Sequence, residues 1–184
     1  LDSSLLLIDL GRGQDRLGGS VYSQVTQRFD SVTPDLDDAE DLKKFMRVIR
    51  SLAEKGAILA YHDRSDGGLA ATLCEMMFAS HVGVEVVADG LVKDGKTLNE
   101  ALFNEELGAV IQVTRGRSSE VVKAFEAEGL QDPLMYLGNL IPEENLNIYL
   151  EGKCVLSEER ANLQKAWSKV SWQIARMRDN PECA

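Results

Sequence analysis

Between residues 38 and 80 the chain changes its hydrophobic period twice, and this limits its possible folds more than any other feature of the sequence. The stretch "PDLDDAEDLKKFMRVIRSLAEKG" carries Leu42, Phe45, Met46, Ile49 and Leu52 at helical spacing, with acidic residues from Asp38 to Asp41 at its start and Gly56 after its end. "AILAYHD" follows, a run that passes from apolar to polar, as a buried strand does when its C-terminal end reaches a site. Residues 67–80 return to helical spacing, with Leu69, Leu73, Met76 and Met77 on one side. A chain patterned in this way must lay helices against a sheet.

The rest of the sequence repeats the alternation. "SLLLIDL" at 4–10 reads as a strand running into the Gly-rich "GRGQDRLGGS", with a helix near 20–29. "GVEVVAD" and "GAVIQVT" are strands flanking the short helix "TLNEALFNEE", and "SSEVVKAFEAEG" is a helix opened by Ser118 or Ser119 as its cap and closed at Gly129. "MYLGNLI" is a strand, and "LNIYLEGKCVLS" is a hairpin that turns at Glu151-Gly152. The terminal "EERANLQKAWSKVSWQIARMRD" is a helix with Leu163, Trp167, Val170 and Ile174 as its stripe. Trp167 and Trp172 lie five apart and so do not share one helical face; one is expected in the core and the other half-exposed. A hairpin among crossovers makes the sheet mixed, so the expected fold is a layered α/β (α+β) domain, single over residues 1–184.

Composition excludes some partners. A formal net charge of −10 argues against a nucleic-acid polymer, because binding by counterion release needs clustered Lys and Arg. A phosphate ligand would therefore need local help from backbone N–H groups, a helix N-terminus or a divalent cation. Cys74, Cys154 and Cys183 are odd in number and widely spaced, which fits neither a disulfide framework nor a structural zinc site and suits a reducing cytoplasm. No apolar run approaches the roughly 18 residues of a membrane span, so no membrane partner is expected. The chain starts without Met and ends on the polar "DNPECA", so it reads as an excised piece of a longer protein, with a linker beginning at about 175–184.

Two nucleotide motifs fail in the glycine loop. A dinucleotide fingerprint has Arg16 where its third glycine belongs, and a phosphate loop has Gly19 where its lysine belongs. The favoured reading is a Gly-rich connection that lets backbone pass close to another surface. "HDRSDGG" is more informative. Asp63 falls at a strand tip, Ser65 and Asp66 fall where the next helix is capped, and Gly67-Gly68 leave that helix's first turn free of side chains. Exposed N–H groups attract anions, and a neighbouring carboxylate repels them unless a hard cation bridges the two, as Mg²⁺ does with one or two carboxylates and phosphate oxygens. The competing reading is that Ser65 or Asp66 only caps the helix while Asp63 pairs with Arg64 or a lysine. His62 is expected as a packed or hydrogen-bonded strand residue rather than a base, His81 as a surface residue, and Glu105-Glu106 as solvated or capping rather than functional.

"AYHDRSDGGLAATLCEMMFAS", "LFNEELGAVIQV" and "MRDNPECA" together resemble one family, the large, single-chain type of phosphoribosylformylglycinamidine synthase. Within it they resemble the second of its two C-terminal-type domains, shared with aminoimidazole ribonucleotide synthetase. The resemblance runs from "LLLIDLG" to "NPECA".

It implies a three-layer α/β/α domain with a mixed sheet. It also implies an ATP-dependent C–N ligase of purine biosynthesis that uses Mg²⁺ and ammonia from glutamine, released in a separate glutaminase domain, so none of the three cysteines here is the glutaminase nucleophile. The family's core is duplicated; one copy holds an auxiliary nucleotide, ATP or ADP, with Mg²⁺. By this resemblance Asp63 matches the magnesium-binding carboxylate and Ser65 the nucleotide-contacting hydroxyl, with no catalytic residue in this domain. The implied partners are the nucleotide and the other domains of the same chain, which would complete the site; the isolated chain is expected to be inactive. Polar positions in "GRGQDRLGGS" depart from the family pattern and receive no ligand role. The alternative is an autonomous regulatory module that binds a small ligand at the Gly67-Gly68 terminus.

Overall fold

A computed structural model describes residues 2–29, 32–93 and 95–180. Cys183 and the end of "DNPECA" lie outside them. The elements alternate as the hydrophobic periods require: β1 (Ser3–Asp9), α1 (Val21–Thr26), α2 (Ala39–Glu54), β2 (Ala60–Asp63), α3 (Gly68–Ser80), β3 (Gly83–Val87), α4 (Leu98–Phe103), β4 (Gly108–Thr114), α5 (Ser118–Ala127), β5 (Leu134–Ile141), β6 (Asn145–Leu150), β7 (Lys153–Glu159) and α6 (Arg160–Arg178). The strands form one seven-stranded sheet in the order β2-β4-β1-β5-β3-β6-β7, antiparallel except for the β3–β6 pair. The sheet is mixed, as expected.

Alternation along β1 divides the core into two. Leu5 and Leu7 pack with Leu69, Leu73 and Met77 of α3, Leu102 of α4, and Val86, Val110 and Ile148 of the sheet. Leu6 and Ile8 pack on the other side with Phe45, Val48 and Leu52 of α2 and Val121 and Phe125 of α5. The result is three layers, helix, sheet and helix, with β1 and β4 sealed on both faces. Each fully buried Leu, Val or Phe removes enough apolar surface to contribute roughly 1.5–3 kcal/mol, so the central strands carry most of the stability.

Local chemistry explains the ends. The Asp38 carboxylate accepts from Glu40 N (2.8 Å) to open α2. Thr97 and Glu100 form a reciprocal capping box on α4. Glu151 and Gly152 both take positive φ (50° and 73°), which suits the two-residue turn between β6 and β7.

Some expectations fail. "AILAYHD" is not a buried strand: β2 is four residues long, pairs only with β4, and lies at the sheet edge with Tyr61 and Asp63 exposed. α1 stops at Thr26, where Gln27 turns left-handed (φ 54°). α5 opens on Arg117 rather than a serine cap, and the Ser118 hydroxyl donates back to Thr114 O (3.4 Å). The stripe of α6 is not core. Leu163 touches the α3-side cluster, but α6 has no buried residue, and Trp167 and Trp172 are 61% and 53% exposed. Trp167 packs on Phe78 of α3 with ring centroids 5.7 Å apart.

Candidate functional site

β1 and β2 both run antiparallel to β4, so they end at the same edge of the sheet: Asp9 lies opposite Gly108 and Asp63 opposite Ala109. α3 begins there, and the segment Asn104–Leu107 leads into β4. Two layers of polar side chains meet at this edge.

The outer layer is Asp63, Ser65 and Asp66, all exposed. The Asp63 carboxylate has no hydrogen-bond partner among the described residues. Its carbonyl accepts from Thr72 Oγ1 (3.3 Å) and lies 2.7 Å from His62 Nδ1. His62 Nε2 in turn lies 2.9 Å from a Glu75 carboxylate oxygen, so His62 is the hydrogen-bonded strand residue expected of it. His81 ends α3 in the left-handed region (φ 55°) and is exposed.

Neither Ser65 nor Asp66 caps α3. Gly67 does, at φ 83° and without a side-chain bond, while Ser65 contributes only its carbonyl, which accepts from Gly68 N (2.9 Å). Side chains cannot be added at this turn. Gly68 has φ +66°, and a Cβ there would lie 2.5 Å from Asn104 O. The capping carboxylate comes from elsewhere: Glu105 Oε1 accepts from Gly67 N (2.9 Å) and also from Val21 N at the start of α1 (2.9 Å). Capping was one of the roles expected for Glu105; that it serves two helices at once is visible only in three dimensions.

The inner layer is buried and ionic. Arg64 does not pair with Asp63. It turns inward to Asp9 (2.5 Å) and donates from Nε to Glu106 O (2.6 Å). The other Asp9 oxygen accepts from Gly13 N (2.6 Å), so the glycine loop folds back over the strand end. Glu106 is fully buried, contrary to a solvated role, and Arg16 grips it bidentately through Nε (2.6 Å) and Nη2 (2.7 Å). This contact raises the Arg16 pKa further, the hydrogen bond to Glu106 being the main cause. Arg16 also reaches Asp37 (3.1 Å) and the Asp35 carbonyl (2.9 Å), pinning the segment before α2. Gly11 is required for close approach, since a Cβ there would lie 2.6 Å from the Glu106 side chain. The loop is thus the close-packed connection that the failed nucleotide motifs left standing.

Asp15 is the least settled member. Its Oδ1 accepts from Asn104 Nδ2 (2.9 Å), while its buried Oδ2 has no partner. Burial, reinforced by the Asp9 charge, pushes its pKa up to about 6, against the opposing pull of Arg64 and Lys96. Cys74 is similarly affected: burial raises its thiol to about 11, which removes it as a nucleophile near neutral pH.

Among the described residues no group of three or more His, Cys, Asp or Glu is arranged to hold a metal. Asp63 therefore offers a single unengaged carboxylate. One such ligand fits Mg²⁺, which is held by one or two carboxylates and takes its remaining oxygens from water and phosphate. It would not fit a metal that needs a closed protein cage. No helix among the described residues is long and apolar enough to cross a membrane.

The sequence pattern of the AIR synthase related protein, C-terminal domain, matches residues 3–151. Among solved structures, Thermotoga maritima PurL complexed with ATP is 14% identical with a TM-score of 0.68, over 88% of this chain and 25% of that one. The same protein complexed with FGAR gives 16% and 0.68, over 88% and 28%. Escherichia coli HypE, a hydrogenase maturation protein, gives 16% and 0.56, over 83% and 48%. At these identities the likeness is one of fold, and the chain spans about a quarter of the PurL chains it matches. The chain belongs to the AIR synthase related family, of which it carries the C-terminal domain.

Proposed function

We propose that this chain is one domain of a phosphoribosylformylglycinamidine synthase of the large, single-chain type. That enzyme is an ATP-dependent ligase converting formylglycinamide ribonucleotide to the amidine with ammonia from glutamine. The domain contributes scaffold and part of an auxiliary Mg-nucleotide site and performs no turnover alone. The observation that carries this reading is the unengaged Asp63 carboxylate at a strand tip, beside a helix start where Gly67 and Gly68 add no side chain of their own and the Gly67 N–H is held by Glu105. It occurs in a fold that matches PurL structures complexed with ATP, AMPPCP and ADP.

In this reading Mg²⁺, when bound, neutralises the charge between nucleotide phosphates and protein carboxylate. Asp63 holds the ion on its exposed oxygens. Ser65, exposed two residues on, donates its hydroxyl to the nucleotide. Arg64 binds nothing; it fixes the strand end so that its two neighbours project outward. The remaining ligands come from other domains of the same polypeptide.

The test is Asp63→Asn in the full-length protein. Loss of co-purifying nucleotide is expected, and unchanged nucleotide content would reject the site. Calorimetry of the isolated chain with ATP, ADP and Mg²⁺ addresses the autonomous module: micromolar affinity would favour that module over an incomplete site.

A further inference from the structure

α6 differs from the rest of the molecule in both charge and exposure. Arg160, Lys165, Lys169, Arg176 and Arg178 are its charged residues; it contains no Asp or Glu, in a chain whose formal net charge is −10. Lys165, Lys169 and Arg176 make no ion pair among the described residues, and Arg176 instead lies over the Trp172 ring, 4.7 Å from its centroid. The basic side chains at 176 and 178 complement the helix dipole at its C-terminus, but those at 165 and 169 lie well before the last turn and have no such role.

The apolar stripe adds a direction. Leu163, Trp167, Val170, Ile174 and Met177 recur every three or four residues and so share a face. The first two are held on α3: Leu163 packs on the core there, and Trp167 packs on Phe78 and donates from Nε1 to Glu75 (3.0 Å). The same stripe then continues past the end of that contact with Val170 63%, Ile174 53% and Met177 81% exposed. An established packing face therefore runs on into water, flanked by unpaired cations and a half-exposed Trp172.

We infer that the C-terminal half of α6 is a docking helix, and that its occupant is a protein domain presenting an apolar groove with an acidic rim, carried elsewhere on the same polypeptide. Three observations select this occupant. The unpaired cations call for carboxylates. The open stripe is continuous with an intramolecular interface. The chain spans about a quarter of the PurL chains whose fold it shares, so in proteins of that length most of the polypeptide lies outside this domain. A lipid surface fits less well, because Leu163 and Trp167 of the stripe are already docked on α3 and Trp172 sits among the cations rather than on the apolar face. The inference rests on the proposed function only in taking the chain as part of a longer protein.

Zero-length carbodiimide coupling of the full-length gene product, read by mass spectrometry, tests it. The expected result is Lys165 or Lys169 joined to Asp or Glu outside residues 1–184 of the same molecule. Those cross-links should fall at least tenfold in a Val170→Asp/Ile174→Asp double variant. Both positions are exposed, so the 184-residue chain should keep its thermal midpoint. Cross-links confined to residues 1–184 would overturn the inference. So would cross-links joining two copies, recognised by mixing ¹⁴N and ¹⁵N protein, or co-sedimentation of the full-length protein with phosphatidylserine vesicles that depends on Trp172. A gene product with no further domain would remove the multidomain reading itself, whereas a long product whose α6 stays unlinked overturns only the docking.

Discussion

Arg64 and its neighbours Asp63 and Ser65 are consecutive in the chain and face opposite environments. Arg64 is sealed inside the sheet edge against Asp9 and the Glu106 carbonyl, while the residues on either side stand in water. The cause is the alternation of an extended segment as it leaves the sheet. The contrast separates two roles that a motif merges: the buried cation shapes the platform, and the exposed oxygens are free to bind. A buried pair broken on one side leaves an uncompensated charge, whereas removing an exposed polar group costs little stability. Substitutions along this edge should therefore fall into distinct magnitudes.

The largest effect is expected for Arg64→Met, which strands the buried Asp9 carboxylate: urea denaturation should show a loss of roughly 3–5 kcal/mol. A loss below about 1 kcal/mol would erase the distinction between inner and outer layers. Gly68→Ala comes next, because it combines a positive φ with a contact against Asn104 O; about 2–3 kcal/mol should be lost in the same assay. Asp15→Asn sharpens the comparison in the other direction. The folded state raises the Asp15 pKa to about 6 from its ordinary value of 3.8, so it holds a proton that the unfolded chain releases between these values. Its contribution is most favourable below the lower value, declines as pH rises between the two, and is least favourable above the upper one. The variant should therefore be more stable than the parent by about 1–2 kcal/mol at pH 8, with the gap closing toward pH 4, as read from paired denaturation curves. The smallest effect belongs to Asp63→Asn and Ser65→Ala: stability within about 0.5 kcal/mol of the parent, combined with lost nucleotide retention in the full-length protein. A large stability loss in either would move that residue into the inner layer.

Much of the fold was legible because its signals are local and periodic. The helical spacing of Phe45, Ile49 and Leu52, the acidic start from Asp38 to Asp41, the apolar run of β1 and the Glu151-Gly152 turn each depend on near neighbours. What sequence reading missed depends on distance. The carboxylate that holds Gly67, the cap of α3, is Glu105, 38 residues away. The partner of Arg16 is 90 residues away at Glu106. No spacing rule reaches so far, although an arginine in a glycine loop and an acidic pair before a strand were the visible halves of that contact. The α6 stripe was misplaced for a different reason: periodicity reports which residues share a face but not whether this chain supplies what covers them. At the candidate site, Asp63 and Ser65 could be singled out from residue type and position. The inward turn of Arg64 and the role of Asp15 could not, because both are set by the pairing of β1, β2 and β4.

The Glu105 carboxylate has a last consequence. One oxygen tethers the first N–H of α1 and the N–H of Gly67, the position a phosphate would otherwise seek. Under the proposed function, an anionic guest would meet a doorkeeper of its own sign and would have to displace it to reach Gly67. Drawing Glu105 away from Gly67 would also remove the acceptor of Val21 N, leaving Ser20 alone to hold the start of α1, so occupancy at α3 and release of that contact would be coupled.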